Sequence, residues 1–579
     1  MNKNKRKDIV GFLISLAILI LVNFIGSFAF LRLDLTSENR YSISEPTREL
    51  LNSLEEDLYV QVYLEGDFPA SFKRLRNETR EMLDEFQAYS GGHLDFEFIN
   101  PSANPDMKER DKIYKNLYEL GLRPTDLEIK DDDGVSQKVI WPGAVVSYKG
   151  NQIPIQLLKS QFGAPPQVVL NQSIESLEYE LASAIKKVSN PDLRKIAMIQ
   201  GHGELDKFET ADIVGSMREF YEVERVLLNG NLTALSERIF ASKDSSEMRV
   251  VNRFDAAIVA GPDSAFSEKD KFILDQFVMY GGKLIWLVDG AIADMDSLRN
   301  KKSSTFLAMP KDLNLQDQFF EYGVRINQDL VQDMQAAPIP AVSGQYGTQA
   351  KTQLFPWLYY PLMFSKNNHP INKNLDVVKA DFASSIDLVG GSFLEKSVIL
   401  STSKYTKLLK TPTRVSMNML SFNPPKEQFT KQNVPIGVLV EGEFKSIYRN
   451  RLTSKIVKAG EIQYKEKSPK NQMVFISDGD LIKNRYNKNT NQYYALGFDR
   501  YTNQFYGNKD FFMNILSYLL DDSGLILSKT KSFKIRMLNT QLVKQNRLLV
   551  QVLNTALPIL VIILIGLLLH YLRRKKYTR

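Results

Sequence analysis

Uninterrupted apolar runs mark both ends of the chain, and between them apolar and polar positions alternate in two different periods. Residues 9–31 hold 23 positions without a charge, and 548–572 hold 25, most apolar from Ala556 to Leu569. Each is long enough, as a helix rising ~1.5 Å per residue, to cross a hydrocarbon layer of ~30 Å. The first has a competing reading as a cleavable signal peptide, with "KNKRK" as its basic start and "SFA" as a small-x-small site. Its apolar run exceeds the roughly 7–15 residues of a signal core, which favours a retained anchor.

Inside these ends the pattern becomes mixed α/β. "LYVQVYL" (58–64) and "HLDFEFIN" (93–100) have strand character. Helices are predicted over 70–90, ended by a Gly pair, and over 106–120, ended by Gly121. Three short strand-like runs follow, "KVIW", "AVVSYKG" and "NQIPIQLL". This β-α-β-α-β-β order suggests a thioredoxin-like module. "KDDDG" (130–134) lacks the spaced oxygen ligands and closing Glu of a calcium loop and reads as a surface hairpin turn. Over 173–191, Ile174, Leu177, Leu181, Ile185 and Val188 share one helical face, with Ser173 placed as its cap.

From 194 the rhythm predicts alternating strands and helices. Strand runs fall at 194–200, 222–228, 254–262, 283–290, 396–403, 435–444 and 471–480, with helices at 207–220, 267–282 and 508–522. Such alternation implies a parallel sheet covered on both faces, with functional loops at the strand C-termini. Residues 291–394, rich in Pro, read as a long irregular surface excursion inserted into that domain.

Charge changes the picture at the ends only. The net +7 is concentrated in residues 1–8, which carry +3, and 573–579, which carry +5, so the long middle is close to neutral. A nucleic-acid footprint would need a basic face on a folded domain, and none is expected. The basic ends instead act as positive-inside signals, placing both termini in the cytoplasm and the bulk across the membrane. The chain has no cysteine, which removes disulfides, thiol redox chemistry, cysteine nucleophiles and cysteine metal sites.

Candidate chemistry gathers at strand ends. "IQGHGE" contributes Gly201, His202, Gly203 and Glu204; "LVDG" contributes Asp289; "SDGD" contributes Asp478 and Asp480. A dinucleotide fingerprint would need a third glycine at 206, where Asp stands. Zinc would need more ligands than His202 and Glu204 supply, and there is no H-E-x-x-H, G-x-S-x-G or P-loop pattern. The glycine-flanked histidine reads as a tight βα turn, or as a loop that binds a ligand or partner; the three aspartates read as helix caps or as groups facing one crevice. No cofactor and no metal is expected.

Several motifs taken in order resemble the gliding-motility ABC transporter auxiliary protein GldG and its wider family. They are "DLTSENRYSIS" (34–44), "LEYELASAIKKV" (177–188), "IQGHGE", "AAIVAGP…GGKLIWLVD" (256–289), "HPI" (369–371), "FISDGD" (475–480) and "GNKDFFMNILSYL" (507–519). The resemblance implies that the region from 194 is similar to the α/β domain shared by GldG and ciliary transport proteins, which has an amidotransferase-like, flavodoxin-like fold. Such folds normally carry a catalytic cysteine, so its absence implies a binding or assembly domain and no enzyme. The resemblance further implies a multispan ABC permease and a separate cytoplasmic ATPase as partners, and a role in gliding motility and linked secretion in Bacteroidota.

The expected fold class is therefore α/β, with two terminal transmembrane helices enclosing two folded parts. In order these are a cytoplasmic tail (1–8), a membrane helix (9–31), a linker (32–56), the thioredoxin-like module (57–160) and a connecting helix (161–192). Then follow the amidotransferase-like parallel α/β domain (193–525) with its insertion at about 291–394, a basic juxtamembrane segment (526–547), a membrane helix (548–572) and a tail (573–579). The expected location is the inner membrane, two-pass, with the bulk periplasmic; the alternative is a membrane-anchored periplasmic binding or scaffold protein for an envelope polymer or lipid, without energy coupling.

Overall fold

The computed structural model describes residues 10–21, 43–131, 134–159, 166–189, 193–240, 248–299, 304–346, 349–364, 369–390, 393–421, 424–449, 451, 463–487, 492–521, 523–530 and 546–577. The linker at 32–42, the middle of "KDDDG" and most of the basic juxtamembrane segment lie outside these residues. Two units are present, Met1–Lys531 and Ser532–Arg579. In the second, the helix Arg547–Tyr577 contains Pro558, and an 18-residue window within its Arg547–Lys575 stretch has a mean hydropathy of 2.7. Among the described residues it is the one helix long and apolar enough to cross a membrane. The apolar helix Val10–Leu21 is shorter, and the remainder of the expected first span lies outside the described residues.

The first folded part of the larger unit is a four-stranded sheet. Leu58–Val62 pairs in parallel with Leu94–Phe98 on one side and antiparallel with Gly143–Tyr148 on the other, and Asn151–Gln156 completes the far edge. Leu58, Val60 and Val62 alternate inward and pack under Leu75, Leu83 and Phe86 of the helix Ala70–Tyr89. A hairpin of Thr125–Asp131 and Gly134–Ile140 stands beside the sheet; its first strand carries three acidic residues among seven and escaped the apolar pattern.

The connecting helix runs Pro166–Ser189, so it begins seven residues before the expected cap. Pro166 opens it, where proline costs no hydrogen bond. Ser173 therefore lies in the third turn, donating to the Val169 carbonyl at 2.8 Å and accepting from the Lys159 amide at 2.9 Å. The expected apolar face holds, and Ile174, Leu177, Leu181, Ile185 and Val188 are all buried in the first core. Leu525 joins them from near the C-terminal end of the unit.

The main sheet has seven strands in the spatial order 395–401, 435–445, 467–476, 283–287, 256–260, 195–200 and 222–227. The last five are mutually parallel, but Pro435–Lys445 is antiparallel to both of its neighbours. The expectation of a wholly parallel sheet is corrected to a mixed one. A parallel neighbour needs a crossover connection, usually a helix. Between 401 and 435 the described residues hold only two short strands and single turns of 3₁₀ helix, so the chain returns antiparallel.

Alternation along the strands splits the core between the two faces of this sheet. Ile196, Ile258, Ile285 and Val474 face the helices Ala211–Arg218 and Asn508–Leu520. Ala197, Val259, Trp286 and Phe475 face the helix Glu268–Met279, which Ser267 caps by accepting the Asp270 amide proton. This two-sided burial explains the near-continuous apolar run of Ala256–Ala260.

The insertion is not a surface excursion. A long hairpin, Ala336–Tyr346 with Gln349–Met363, carries Trp357, Tyr359 and Tyr360 into a core of its own around Phe382. Two buried carboxylates fasten it, Asp329 within the insertion and Asp333 to the chain beyond it. Asp329 accepts from the Ser385 amide and hydroxyl, and Asp333 from the amide and hydroxyl of Ser403 and from Thr406.

The insertion leaves the main sheet at Gly290. A Cβ there would lie 2.0 Å from the Asn327 carbonyl oxygen and 2.8 Å from Ser384 Oγ. Gly290→Ala is expected to lower stability by about 1–3 kcal/mol through overpacking. Gly215→Ala, in a helix with nothing within 4 Å of the added carbon, is expected to be neutral or mildly stabilising. Denaturant unfolding of the two variants beside the parent checks the contrast.

Candidate functional site

The strand Lys195–Gln200 ends in Gly201 and Gly203 at φ values of 125° and 77°, which L side chains rarely adopt. A Cβ on Gly203 would also meet Asp263 Cβ at 2.9 Å. Between them His202 is turned inward and only 5% exposed, with its ring stacked on Phe266 at a centroid distance of 3.7 Å. Its Nδ1 lies 3.1 Å from Glu204 Oε1 and its Nε2 3.3 Å from Asp270 Oδ2. Glu204 Oε2 accepts the His202 amide proton at 2.7 Å, and the His202 carbonyl accepts from Asp263 and Ser264. Both ring nitrogens are thus engaged by carboxylates that are themselves held, Asp270 by Ser267 and the Gly230 amide.

Burial by itself would push the imidazole pKa down, but hydrogen bonding and charge from Glu204 and then Asp270 outweigh it and hold the group above its ordinary value. The result is a buried imidazole held between two carboxylates, which ties the 201–204 loop to the start of the helix Glu268–Met279.

The three aspartates from "LVDG" and "SDGD" do come together. Asp289 Oδ1 accepts the Gly479 amide proton at 2.7 Å, and its Oδ2 lies 3.2 Å from Lys311 Nζ, which also reaches Asp263. A Cβ on Gly479 would fall 2.6 Å from Asp289 Oδ2 and 2.8 Å from Gly261 Cα, so the two strand-end loops close only around a glycine. Asp478 is fully buried and accepts from the Asp381 and Asp480 amides. Burial, with Asp289, Asp381 and Asp480 nearby, pushes its carboxyl well above the usual range. Asp480 is pushed up to about 7 by burial against the attraction of Lys483, with Asp289 and Asp381 adding repulsion.

Asp478 and Asp480 border a cleft of about 910 Å³ at the C-terminal ends of the parallel strands. His202 and Glu204 do not line it; the residues just after them, Asp206, Phe208 and Glu209, do. Other walls come from Asp294 and Asp296, from Lys379, Asp381 and Phe382, and from residues 484–486, 494–501, 506 and 508 of the segment 484–508. Seven of the 25 residues in that segment are aromatic and eight are Asn or Gln. That density was the available signal for the cleft, and motif searching for catalytic patterns passes over it. Among the described residues no group of three or more His, Asp or Glu side chains is arranged to hold a metal ion.

The inward histidine has a measurable signature. A folded pKa raised above the unfolded value contributes stability that is complete below about pH 6.5 and is lost as pH rises through the folded value. His202→Gln is expected to cost about 1–3 kcal/mol at pH 6, by leaving buried groups unsatisfied. The difference from the parent is expected to narrow as pH rises, and thermal unfolding from pH 5.5 to 9 follows it.

Comparison with known proteins adds what geometry cannot. A domain of unknown function, DUF7088, matches residues 37–147. An uncharacterized protein of Borreliella burgdorferi is 20% identical over 463 residues, covering 79% of this chain and 82% of its own length. Among solved structures, the mmIFT52 N-terminal domain aligns at 12% identity with a TM-score of 0.29, covering 59% of this chain and 100% of that one. A family model described as an ABC-type uncharacterized transport system matches residues 193–515. That match spans more than half of the chain, every strand of the seven-stranded sheet and the whole lining of the cleft, and the chain belongs to this family.

Proposed function

We propose that the protein is a membrane-anchored, non-enzymatic accessory subunit of an ABC transport complex, whose multispan permease and cytoplasmic ATPase are separate chains. The observation that carries this reading is the family match over the cleft-bearing domain. The apolar helix at 547–575 and the basic residues at both ends support anchoring, with both termini cytoplasmic and the bulk periplasmic. The engagement of both His202 nitrogens supports a structural role for the most chemical-looking loop. In this reading the two folded parts are the thioredoxin-like and amidotransferase-like modules implied by the sequence, and the cleft receives cargo or a partner segment. Service in gliding motility and linked secretion is the narrower form of the proposal and rests on the order of the motifs alone.

The cleft also favours a second reading, a membrane-anchored binding protein without energy coupling. Mild-detergent extraction followed by affinity purification of the full-length chain separates the two. The accessory-subunit reading expects a multispan permease and an ATPase to be recovered in fixed proportion. Recovery of the chain with neither partner, under conditions that preserve a control transporter, would sink it.

A further inference from the structure

The ligand class of the cleft follows from how its lining is shared between rings and charges, taking the cleft to be the binding site of the proposed subunit. Besides Asp478 and Asp480, whose carboxyls are pushed up by burial, six acidic and only four cationic side chains border it. The cations are already occupied. Lys379 pairs with Asp381 and lies over the Tyr360 ring, Lys483 spans Glu209 and Asp480, and Arg485 and Arg500 sit over Tyr501. Asp206, Asp294 and Asp499 each accept a neighbouring backbone amide and lie within electrostatic reach of Arg225, Lys483 and Arg500 respectively, but none of the three is held in a direct ion pair among the described residues.

The lining is also concave and aromatic. Tyr494 and Phe498 stack with their ring centroids 6.0 Å apart, and Phe208 stacks on Tyr486 at 4.8 Å. Tyr494 is 37% exposed and Phe208 39% exposed, so part of each remains open to an incoming group. The protein's own Lys379, Arg485 and Arg500 show that these walls accept cations over ring faces. A volume of about 910 Å³ holds a chain of several rotatable bonds rather than a single ion.

We propose that the cleft binds an organic cation, a flexible chain bearing ammonium or guanidinium groups, with its heads toward Asp206, Asp294 and Asp499 and its stem along Tyr494 and Phe498. Such a chain comes from two sources, a free polyamine or the Lys and Arg side chains of an extended polypeptide. Neutral saccharides meet the rings but leave the excess negative charge uncompensated, and anions are repelled.

Calorimetric titration of the full-length protein in detergent, with spermidine, pentalysine, maltopentaose and pentaglutamate as separate probes, tests this. Saturable binding of spermidine or pentalysine that weakens steeply with salt is expected, and the tighter of the two identifies the source. The double variant Asp294→Asn/Asp499→Asn is expected to bind about tenfold more weakly through loss of two charge-assisted contacts. Tyr494→Ala is expected to weaken binding severalfold at unchanged salt dependence. Thermal unfolding of each variant must match the parent for its result to count. Binding of maltopentaose alone, no binding of either cation, or an unaltered affinity in the double variant overturns the proposal. Partner recovery is measured separately on the parent protein. Cation binding without partners counts against the accessory-subunit reading, and partners without cation binding count against this one.

Discussion

The hydrogen bond from the Gly479 amide to Asp289 fixes the geometry on which the rest of the cleft depends. It joins the ends of two adjacent parallel strands, 283–287 and 467–476, at a point where no side chain fits between them. With Gly479 held, Asp478 has to turn into the protein and Asp480 toward the cleft. The inward carboxyl then accepts the Asp381 amide and so draws the end of the insertion down onto the sheet. Lys311, balanced between Asp289 and Asp263, carries the same constraint across to the loop that packs on Gly203. One backbone contact thus sets the spacing of four loops.

Buried carboxylates recur as fasteners, and each is handled differently. Asp478 has its carboxyl pushed well above the usual range by burial and by its acidic neighbours. Glu204 and Asp270 bracket a histidine. Asp275 takes hydrogen bonds from Ser446, Tyr322 and the Ile447 amide, joining a helix to the chain just past an antiparallel strand. Asp329 and Asp333 do the same for the insertion. A chain with no cysteine holds its long loops by this means, in which desolvation of each carboxyl is offset by several donors of fixed geometry.

What the sequence made legible was local. The face shared by Ile174, Leu177, Leu181, Ile185 and Val188 follows from helical period, and the buried strand Ala256–Ala260 from its composition. The glycines of "GHGE" announced a turn with positive φ, which the backbone adopts. Strand direction was not legible, because an apolar run such as that of 435–445 reads the same either way along a sheet. Nor was the core of the insertion, since Trp357 of the long hairpin meets Phe382, which lies outside that hairpin. His202 pointed to Glu204 two residues on, but its second partner, Asp270, is 68 residues away. The cleft was least legible of all, being assembled from segments near 206, 294, 379, 478 and 500.

Leu525 and Ile526 are buried, and Leu525 belongs to the core of the first module, more than 300 residues earlier in the chain. Lys186 of the connecting helix pairs with Asp521 and Ser523 beside them. During synthesis from the N-terminus, the first module emerges with a gap in its core that only the last part of the large unit fills. The core of the first module is therefore complete only once the whole of the intervening domain has been synthesised.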